Sequence, residues 1–339
     1  MINLTTGPVL PNKQVVNALT SYPISHRSDE YKRLHENFVA LMCEKLKVKH
    51  VAVLQGSGTL ANEAMIWQIK LLGTKGLILT NGEFGDRLID QSKRIQLDFM
   101  EHRVAWGNEI DSDQIEALIA KNNASWLLFA HCETSTGVTN KLERFTEIAQ
   151  RTKVKLYVDC MSTVGTQNID LSLVSMATCS SGKGLASIAG IAMVLSNAPF
   201  STEISIPKYF DLSLYDEKRT PFTLSSNLLE ALFTAAKSKL NQKSWNRTNH
   251  FSNKIFQEFH ATGIVPFSRK NSRVFTFVSR NFSSVKFCEE LKECGVELSC
   301  HSDYLLARNW FQLALFGNHG ETEIEEAIQL IAKRLNTIN

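Results

Sequence analysis

The sequence predicts an α/β layered fold for the first part of the chain, because short apolar segments alternate with amphipathic ones. The segments with the composition of buried strands are 51–54, 77–79, 126–130 and 154–158. The segments between them with helical spacing of apolar residues are 60–72, 86–96, 111–121 and 141–152. Two further strands are expected near 174–179 and 190–195. Strands separated by helical crossovers are typical of a parallel sheet.

The chain begins with an arm, residues 1–20, that is rich in glycine and proline. A helix is predicted next, because apolar residues from Leu34 to Leu46 recur at spacings of three and four. The large domain is predicted to span 21–235 and a smaller α+β domain 236–339, to which the N-terminal segment also contributes. Beyond Pro199 the predicted elements are an irregular stretch at 200–222, a long helical region at 224–260, strands at 274–278 and 310–315, and helices at 284–294 and 322–336.

Composition narrows the class of protein. The 339 residues are 43% hydrophobic and 21% charged, and the net charge is only +3. This balance argues against a protein that binds nucleic acids or membrane surfaces. The seven cysteines are odd in number and several fall in apolar segments, which favours buried free thiols in a reducing compartment. No signal-peptide pattern and no apolar run of about 18–20 residues is present. We therefore expect a cytoplasmic protein.

One lysine stands out, within the segment Cys179 to Leu185, here called the lysine turn. Lys183 follows an apolar segment, lies among small residues and precedes another apolar segment. This placement suggests that Lys183 holds a carbonyl cofactor as a Schiff base. A nucleotide-phosphate loop is rejected, because Gly184 stands where Ser or Thr is needed and Ala177 where a glycine is needed. No metal site is predicted, since Cys294, Cys300 and His301 lack the paired spacing of zinc ligands.

Ligands of open α/β sheets bind beyond the carboxyl ends of the strands, so the residues after each predicted strand matter most. After 51–54 come Gly56, Ser57, Gly58 and Thr59, which suit either phosphate binding at a helix N-terminus or a tight turn with a helix cap. After 77–79 comes Phe84, flanked by glycines, which could stack on a planar ring or close the edge of the sheet.

Two further strands end in polar residues. The cluster His131 to Gly137 could be a site or a hydrogen-bonded loop. A nucleophile–base pair of His131 and Cys132 carries little weight, because neighbours in a strand point to opposite faces. Asp159 could bind a metal, cap a loop or pair with a cationic ring nitrogen.

Together these motifs resemble those of the class V aminotransferases, which are fold-type-I enzymes that use pyridoxal phosphate. The likeness is closest to the alanine–glyoxylate, serine–pyruvate and 2-aminoethylphosphonate–pyruvate transaminases, and it is looser toward the C-terminus. It implies a large domain with a mostly parallel seven-stranded sheet flanked by helices, followed by a smaller α+β domain. The motifs are Thr6 to Pro8, Ile24 to Ser28, Gln55 to Ala64, Asn81 to Arg87, His131 to Gly137, Asp159 to Gly165 and Ser180 to Gly190.

The resemblance implies a role for each matching residue. Lys183 would form the Schiff base and carry the proton between substrate and cofactor, and Asp159 would keep the pyridine nitrogen protonated. Thr220 matches a position that reaches the phosphate of the partner subunit, which implies a homodimer with its sites at the interface. The other implied cofactor contacts are Phe84 and Met161 on the two ring faces, Ser57, Gly58 and Thr59 at the phosphate, and Thr134 near the phenolic oxygen.

Two departures from the family pattern bear on the substrate. Gly182 stands where an amide side chain is usual, and Gln312 stands where an arginine usually grips the substrate acid group. An amide cannot replace a bidentate, charge-assisted clamp. Arg308 or Arg27 could supply the charge, the substrate could lack an α-carboxylate, or the reaction could differ from transamination.

We therefore expect an aminotransferase that moves an amino group from a small amino donor to a 2-oxo acid such as pyruvate or glyoxylate. The alternative is a lyase or decarboxylase that uses the same cofactor, which the substitution at Gln312 motivates. A non-catalytic binding protein is disfavoured, because such a protein needs neither Lys183 nor Asp159.

Overall fold

A computed structural model describes residues 1–268 and 272–338. The strands are β1 (Ile2–Asn3), β2 (His50–Gln55), β3 (Gly76–Thr80), β4 (Phe99–Arg103), β5 (Trp126–Ala130), β6 (Cys132–Glu133), β7 (Val138–Thr139), β8 (Lys155–Asp159), β9 (Met176–Ser180), β10 (Ile191–Ser196), β11 (Val274–Val278), β12 (Val296–Glu297) and β13 (Trp310–Ala314).

The helices precede, separate and follow these strands. They are α1 (Lys13–Leu19), α2 (Asp29–Leu46), α3 (Gly58–Lys70), α4 (Glu83–Arg94), α5 (Ser112–Asn122), α6 (Leu142–Thr152), α7 (Ser213–Lys218), α8 (Ser226–Lys239), α9 (Gln242–Ala261), α10 (Ser284–Glu293), α11 (Asp303–Leu306) and α12 (Glu321–Ile338), with a 3₁₀ turn at Lys208–Phe210.

A seven-stranded sheet forms the centre of the molecule, in the order β2-β10-β9-β8-β5-β3-β4. Strand β10 runs antiparallel to both neighbours, and the other pairs are parallel. The predicted α/β fold is confirmed. Strands β2, β3, β5, β8 and β9 consequently end at the same edge of the sheet, which brings the loops that follow them together.

Helices cover both faces of this sheet. On one face, α3 and α4 pack through Ala61, Ile66 and Leu88 against Trp126 and other strand residues. On the other face, α2, α5, α6 and α8 bury a larger set of apolar side chains. Because both faces are covered, the central strands are apolar along their whole length, and this is why they were recognisable in the sequence.

The C-terminal part has its own core around the antiparallel pair β11 and β13. The N-terminal arm joins it, because β1 pairs in parallel with β12 and Leu4 is buried in this core. The helical region expected at 224–260 is interrupted: α8 ends at Lys239, and the side chain of Asn241 caps α9 by accepting a hydrogen bond from Ser244 N. The proposed domain boundary at 235/236 falls inside α8.

All seven cysteines are free thiols, and five of them are buried. The expectation of buried thiols in place of a disulfide framework is confirmed, whereas the cytoplasmic location inferred from it stays a prediction. Within residues 1–268 and 272–338, no helix has the length and apolar character needed to cross a membrane.

Candidate active site

Lys183 lies at the carboxyl edge of the sheet, between β9 and β10. The lysine turn is held by its backbone, since Ser181 N donates to Ile191 O at 2.9 Å and Ala186 N donates to Lys183 O at 2.7 Å. Loss of hydration lowers the pKa of the Lys183 amine, and the charge of Asp159 partly opposes this shift. A lowered pKa increases the fraction of neutral amine, which is the form that acts as a nucleophile or accepts a proton.

Asp159 is the last residue of β8 and is buried. Its carboxylate accepts hydrogen bonds from Asn62 Nδ2 at 2.7 Å and from Met161 N at 2.9 Å. Asn62 accepts in turn from Thr178 Oγ1 at 2.6 Å. Burial raises the pKa of Asp159, while the two hydrogen bonds and the charge of Lys183 lower it. The carboxylate is thus oriented by a satisfied polar network, in a place where a cationic partner would stabilise its charge.

Phe84 lies in the first turn of α4, beside the lysine. Its ring centroid is 4.9 Å from Lys183 Nζ, and the Arg87 guanidinium carbon also lies 4.9 Å from this centroid. Tyr304 packs against Phe84 at a steep angle, with 6.4 Å between the ring centroids. The aromatic ring flanked by glycines in the sequence is therefore a wall of the site.

Glu133 holds the start of α4 and was not among the residues predicted from the sequence. Its buried carboxylate accepts from Phe84 N at 3.1 Å, Gly85 N at 3.0 Å, Ser135 N at 3.0 Å and Ser135 Oγ at 2.6 Å. A Cβ atom on Gly82 would come within 2.5 Å of both Glu133 and Ser135, so a glycine is needed there. An acidic residue inside the cluster His131 to Gly137 was the available signal.

The start of α3 is the third part of the site. Ser57, its N-cap residue, makes no side-chain capping bond, so its hydroxyl does not occupy the N–H groups at the start of the helix, where an anion is favoured. A Cβ atom on Gly58 would lie 2.6 Å from Met161 Sδ, so the absence of a side chain allows the two segments to approach. This arrangement matches the phosphate-binding alternative for the turn.

These parts enclose one cavity of about 540 Å³, within the usual range for small-molecule sites. It contains seven of the predicted residues, namely Ser57, Gly58, Thr59, Phe84, Asp159, Met161 and Lys183. Sequence reasoning had not assigned its other lining residues, which are Asn62, Glu63, Arg87, Asp90, Gln91, Arg94 and Ser180.

Thr134 and Gln312 are buried next to this cavity but are not among its lining residues. The hydroxyl of Thr134 lies 2.5 Å from Ser162 Oγ. The Gln312 side chain donates to Thr134 O at 2.6 Å, Ser135 O at 3.0 Å and Thr276 Oγ1 at 2.7 Å, and it accepts from the Tyr304 hydroxyl at 2.9 Å. Its amide is fully used within the protein.

Three other predicted residues do not line the cavity of Lys183 in the single chain, namely Arg308, Arg27 and Thr220. The guanidinium carbon of Arg308 lies 3.9 Å from the ring centroid of Trp106, and Arg308 Nη1 donates to Tyr304 O at 3.3 Å. Arg27 donates to Thr220 O at 3.4 Å, and both line a separate cavity of about 180 Å³.

Known proteins and one protein family are similar to this chain. The family described as "Aminotransferase class-V" matches residues 47–205, which contain most of the site. An uncharacterized aminotransferase of Methanocaldococcus jannaschii is 26% identical over 81% of this chain and 76% of its own length. A 2-aminoethylphosphonate–pyruvate transaminase of Pseudomonas entomophila is 31% identical over 58% of this chain and 54% of its own length, so the chain spans about half of that relative.

A solved structure shows the fold over the whole chain. The aspartate aminotransferase of subgroup IV from Thermus thermophilus superposes with a TM-score of 0.90, at 20% identity, and covers 100% of both chains. The fold and site thus define a fold-type-I enzyme that depends on pyridoxal phosphate. Within that class, the chain is similar to the class-V aminotransferases, whose family model matches residues 47–205.

The residues present fit pyridoxal phosphate. The cavity offers an amine of lowered pKa for the aldehyde, a buried carboxylate for the ring nitrogen and an aromatic ring for stacking. The uncapped start of α3 offers N–H groups for the phosphate. The aldehyde, the ring nitrogen, the ring face and the phosphate would therefore each have a complementary group in one cavity.

Proposed function

We propose that this protein transfers an amino group from a small amino donor to a 2-oxo acid such as pyruvate or glyoxylate, with Lys183 as the residue that bonds to the cofactor. The observation that carries the proposal is the shared cavity of Lys183, Asp159 and the uncapped start of α3. Bound pyridoxal phosphate supplies an electron sink that makes the proton on the amino-bearing carbon removable.

Lys183 is the group that would move this proton. Its Nζ lies beside the ring of Phe84, and the lowered pKa lets the amine exist in the neutral form that accepts a proton and the charged form that returns it. A group that performs both transfers must have a pKa near the working pH, and burial shifts the lysine in that direction.

Asp159 would bind the protonated ring nitrogen. The donors Asn62 and Met161 N fix the carboxylate, so it does not need to reorganise when a cation arrives. Burial makes an unpaired charge costly here, and a cationic ring nitrogen would offset that cost. Phe84 and Met161 would hold the ring, Thr134 would lie near its phenolic oxygen, and Ser57, Gly58 and Thr59 would bind the phosphate.

The Lys183 assignment is tested by absorbance and by chemical trapping. We expect purified protein to absorb at about 410–430 nm, as a protonated Schiff base does, and Lys183→Ala to lose this band. Borohydride reduction and peptide mapping should place the cofactor on Lys183. Lys239, also buried and also of lowered pKa, is an internal control that should stay unmodified. Labelling at Lys239, or a band that persists in Lys183→Ala, would refute the assignment.

A homodimer is the second part of the proposal. Thr220 and Arg27 lie together in a cavity separate from that of Lys183, so only a second copy of the chain would bring them to the phosphate. We expect Lys183→Ala and Thr220→Ala proteins, each impaired alone, to regain activity when unfolded and refolded together. Mixed dimers would contain one site with both native residues. Failure to regain activity, or a monomer in sedimentation, would count against shared sites.

A lyase or decarboxylase is the second candidate, because Gln312 replaces the arginine expected for the substrate acid group. A panel of amino donors with pyruvate or glyoxylate separates the two reactions. The panel includes 2-aminoethylphosphonate, which is named in the description of one relative. Amino transfer to the 2-oxo acid supports the aminotransferase, whereas release of ammonia or carbon dioxide without transfer supports the alternative.

A further inference from the structure

A cation near Lys183 is needed if the enzyme binds an acidic substrate, because a carboxylate or phosphonate loses its hydration on entering the site. Gln312 cannot supply the interaction, since its amide is buried and all of its hydrogen-bonding groups are used by neighbouring residues. Arg308 does not line the cavity that contains Lys183, and neither does Arg27 of the same chain. Within one chain, the candidates for this cation are therefore the arginines that do line the cavity.

Arg87 and Arg94 are the arginines that line this cavity. Both lie on α4. The guanidinium of Arg87 contacts the Phe84 ring, which the amine of Lys183 also contacts. The two cationic groups each lie 4.9 Å from the centroid of Phe84. Arg94 is two helical turns further along α4 and is bound to Asp90 at 2.7 Å.

The surroundings of Arg87 leave it able to bind a ligand. Its Nε donates to Glu83 Oε1 at 3.0 Å, which orients the guanidinium and leaves the terminal nitrogens available for a bidentate acid group. Glu83 is itself anchored, because its backbone N–H donates to Ser135 Oγ at 3.1 Å. The Arg87 side chain is 55% exposed, so a ligand can reach it from the cavity.

We propose that Arg87 binds the acid group of the substrate and so makes the charge-assisted interaction that Gln312 cannot make. The ligand class is a small 2-oxo acid or amino acid with a carboxylate or phosphonate, and Arg87 is a specificity-determining residue. The inference rests on the proposed function for the identity of the substrate, whereas the binding of an acid group to Arg87 can be measured separately.

The experiment compares Arg87→Gln and Arg87→Lys with Arg94→Gln as the matched control on the same helix. Acetate and methylphosphonate serve as unreactive probes, and their dissociation constants for the cofactor-loaded protein are measured by calorimetry. We expect Arg87→Gln to weaken binding about 10- to 100-fold, because a charge-assisted bidentate interaction is lost. Arg87→Lys should recover part of the affinity, and Arg94→Gln should bind as the native protein does.

Kinetics provide the second measurement. We expect Arg87→Gln to raise KM for pyruvate with a smaller change in kcat, while the absorbance band of the bound cofactor is retained. Equal probe affinity in native and Arg87→Gln proteins would overturn the proposal for Arg87. Absence of the band in the native protein would instead overturn the proposed function, so the two failures are distinguishable.

Discussion

Gln312 of β13 donates a hydrogen bond to the carbonyl oxygen of Thr134, with 2.6 Å between the two atoms. The bond joins the C-terminal part of the chain to the turn after β6, which contains Ser135 and follows directly on Glu133, the last residue of β6. The Tyr304 hydroxyl donates to the same glutamine at 2.9 Å, and the Tyr304 ring packs against Phe84. Gln312 is therefore a buried connection between two parts of the fold that both contact the site.

This connection predicts that Gln312→Arg will not create a working acid-group clamp. A guanidinium has no acceptor for the Tyr304 hydroxyl, and it would bring an unpaired charge into a buried site. We expect the free energy of unfolding to fall by about 2–4 kcal/mol and KM for acidic substrates not to decrease. Urea denaturation and steady-state kinetics provide the measurements.

Gln242→Arg is the control for this substitution, because Gln242 is exposed and its side chain bonds to Asn246 on the same helix. It should lower the free energy of unfolding by no more than about 1 kcal/mol, the cost of a cation at a helix N-terminus, and leave the kinetics unchanged. A Gln312→Arg protein as stable as the native one, with a tenfold lower KM, would show that the buried network can be replaced by an arginine that binds substrate.

The strand-end motifs were predictable because buried parallel strands are nearly continuous apolar runs, and the polar or glycine-rich residues after them stand out. Lys183, Asp159 and the turn at Gly58 were found in this way. Strand β4 was missed because its sequence, Phe99 to Arg103, mixes apolar and charged residues at the edge of the sheet. An edge strand with one partner has no need of a fully apolar sequence.

Glu133, Asn62 and Arg87 were missed for a different reason. Glu133 bonds to Phe84 N, which lies 49 residues earlier, and Asn62 bonds to Asp159, which lies 97 residues later. Neither pairing has a local pattern, since each depends on which strands are neighbours in the sheet. Helix positions such as Arg87 become informative only after the direction of α4 relative to the lysine turn is known.

Asn62→Ala should shift the pH dependence of the reaction. The substitution removes a donor that favours the charged carboxylate, so burial should raise the pKa of Asp159 further. We expect the acidic limb of the kcat profile to move to higher pH by about one unit. Activity should therefore be lost at low pH first and be closer to native at high pH.

Thr178→Val is the control for Asn62→Ala. It removes the hydrogen bond that orients Asn62 but keeps the donor to Asp159, so a smaller shift is expected. An unchanged acidic limb in Asn62→Ala would show that Asn62 does not influence the charge state of Asp159 during catalysis.

Glu133→Gln should loosen the start of α4. The NH₂ group of the glutamine amide would face backbone N–H groups that now donate hydrogen bonds to the carboxylate. Because bonds to a charged acceptor are lost, the free energy of unfolding should fall by about 2–3 kcal/mol. Because Phe84 N is one of these donors, cofactor affinity should fall too. Thermal unfolding and cofactor titration test both effects.

The matched substitution is Glu143→Gln, which changes an exposed glutamate in the first turn of α6. It should affect neither quantity. Native stability and cofactor affinity in Glu133→Gln would mean that the start of α4 does not depend on this buried carboxylate.

Because His131 and His35 are buried, we expect the free energy of unfolding to decrease in weak acid. Burial lowers the pKa of His131 from 6.5 to about 4, and burial together with the charge of Arg219 lowers the pKa of His35 from 6.5 to about 4. Between pH 6.5 and about pH 4, these two histidines bind protons in the unfolded chain but not in the folded chain. The free energy of unfolding therefore falls as the pH drops through this range. Each histidine should account for about 3 kcal/mol over this window.

His131→Gln removes one titrating group and should flatten the dependence of the unfolding free energy on pH between 6.5 and 4, whatever its effect at pH 7. His250→Gln is the control, because His250 is exposed and its replacement should leave the slope as in the native protein. The measurement is urea denaturation at a series of pH values. If His131→Gln keeps the full native slope, His131 is protonated in the folded state more readily than its burial implies.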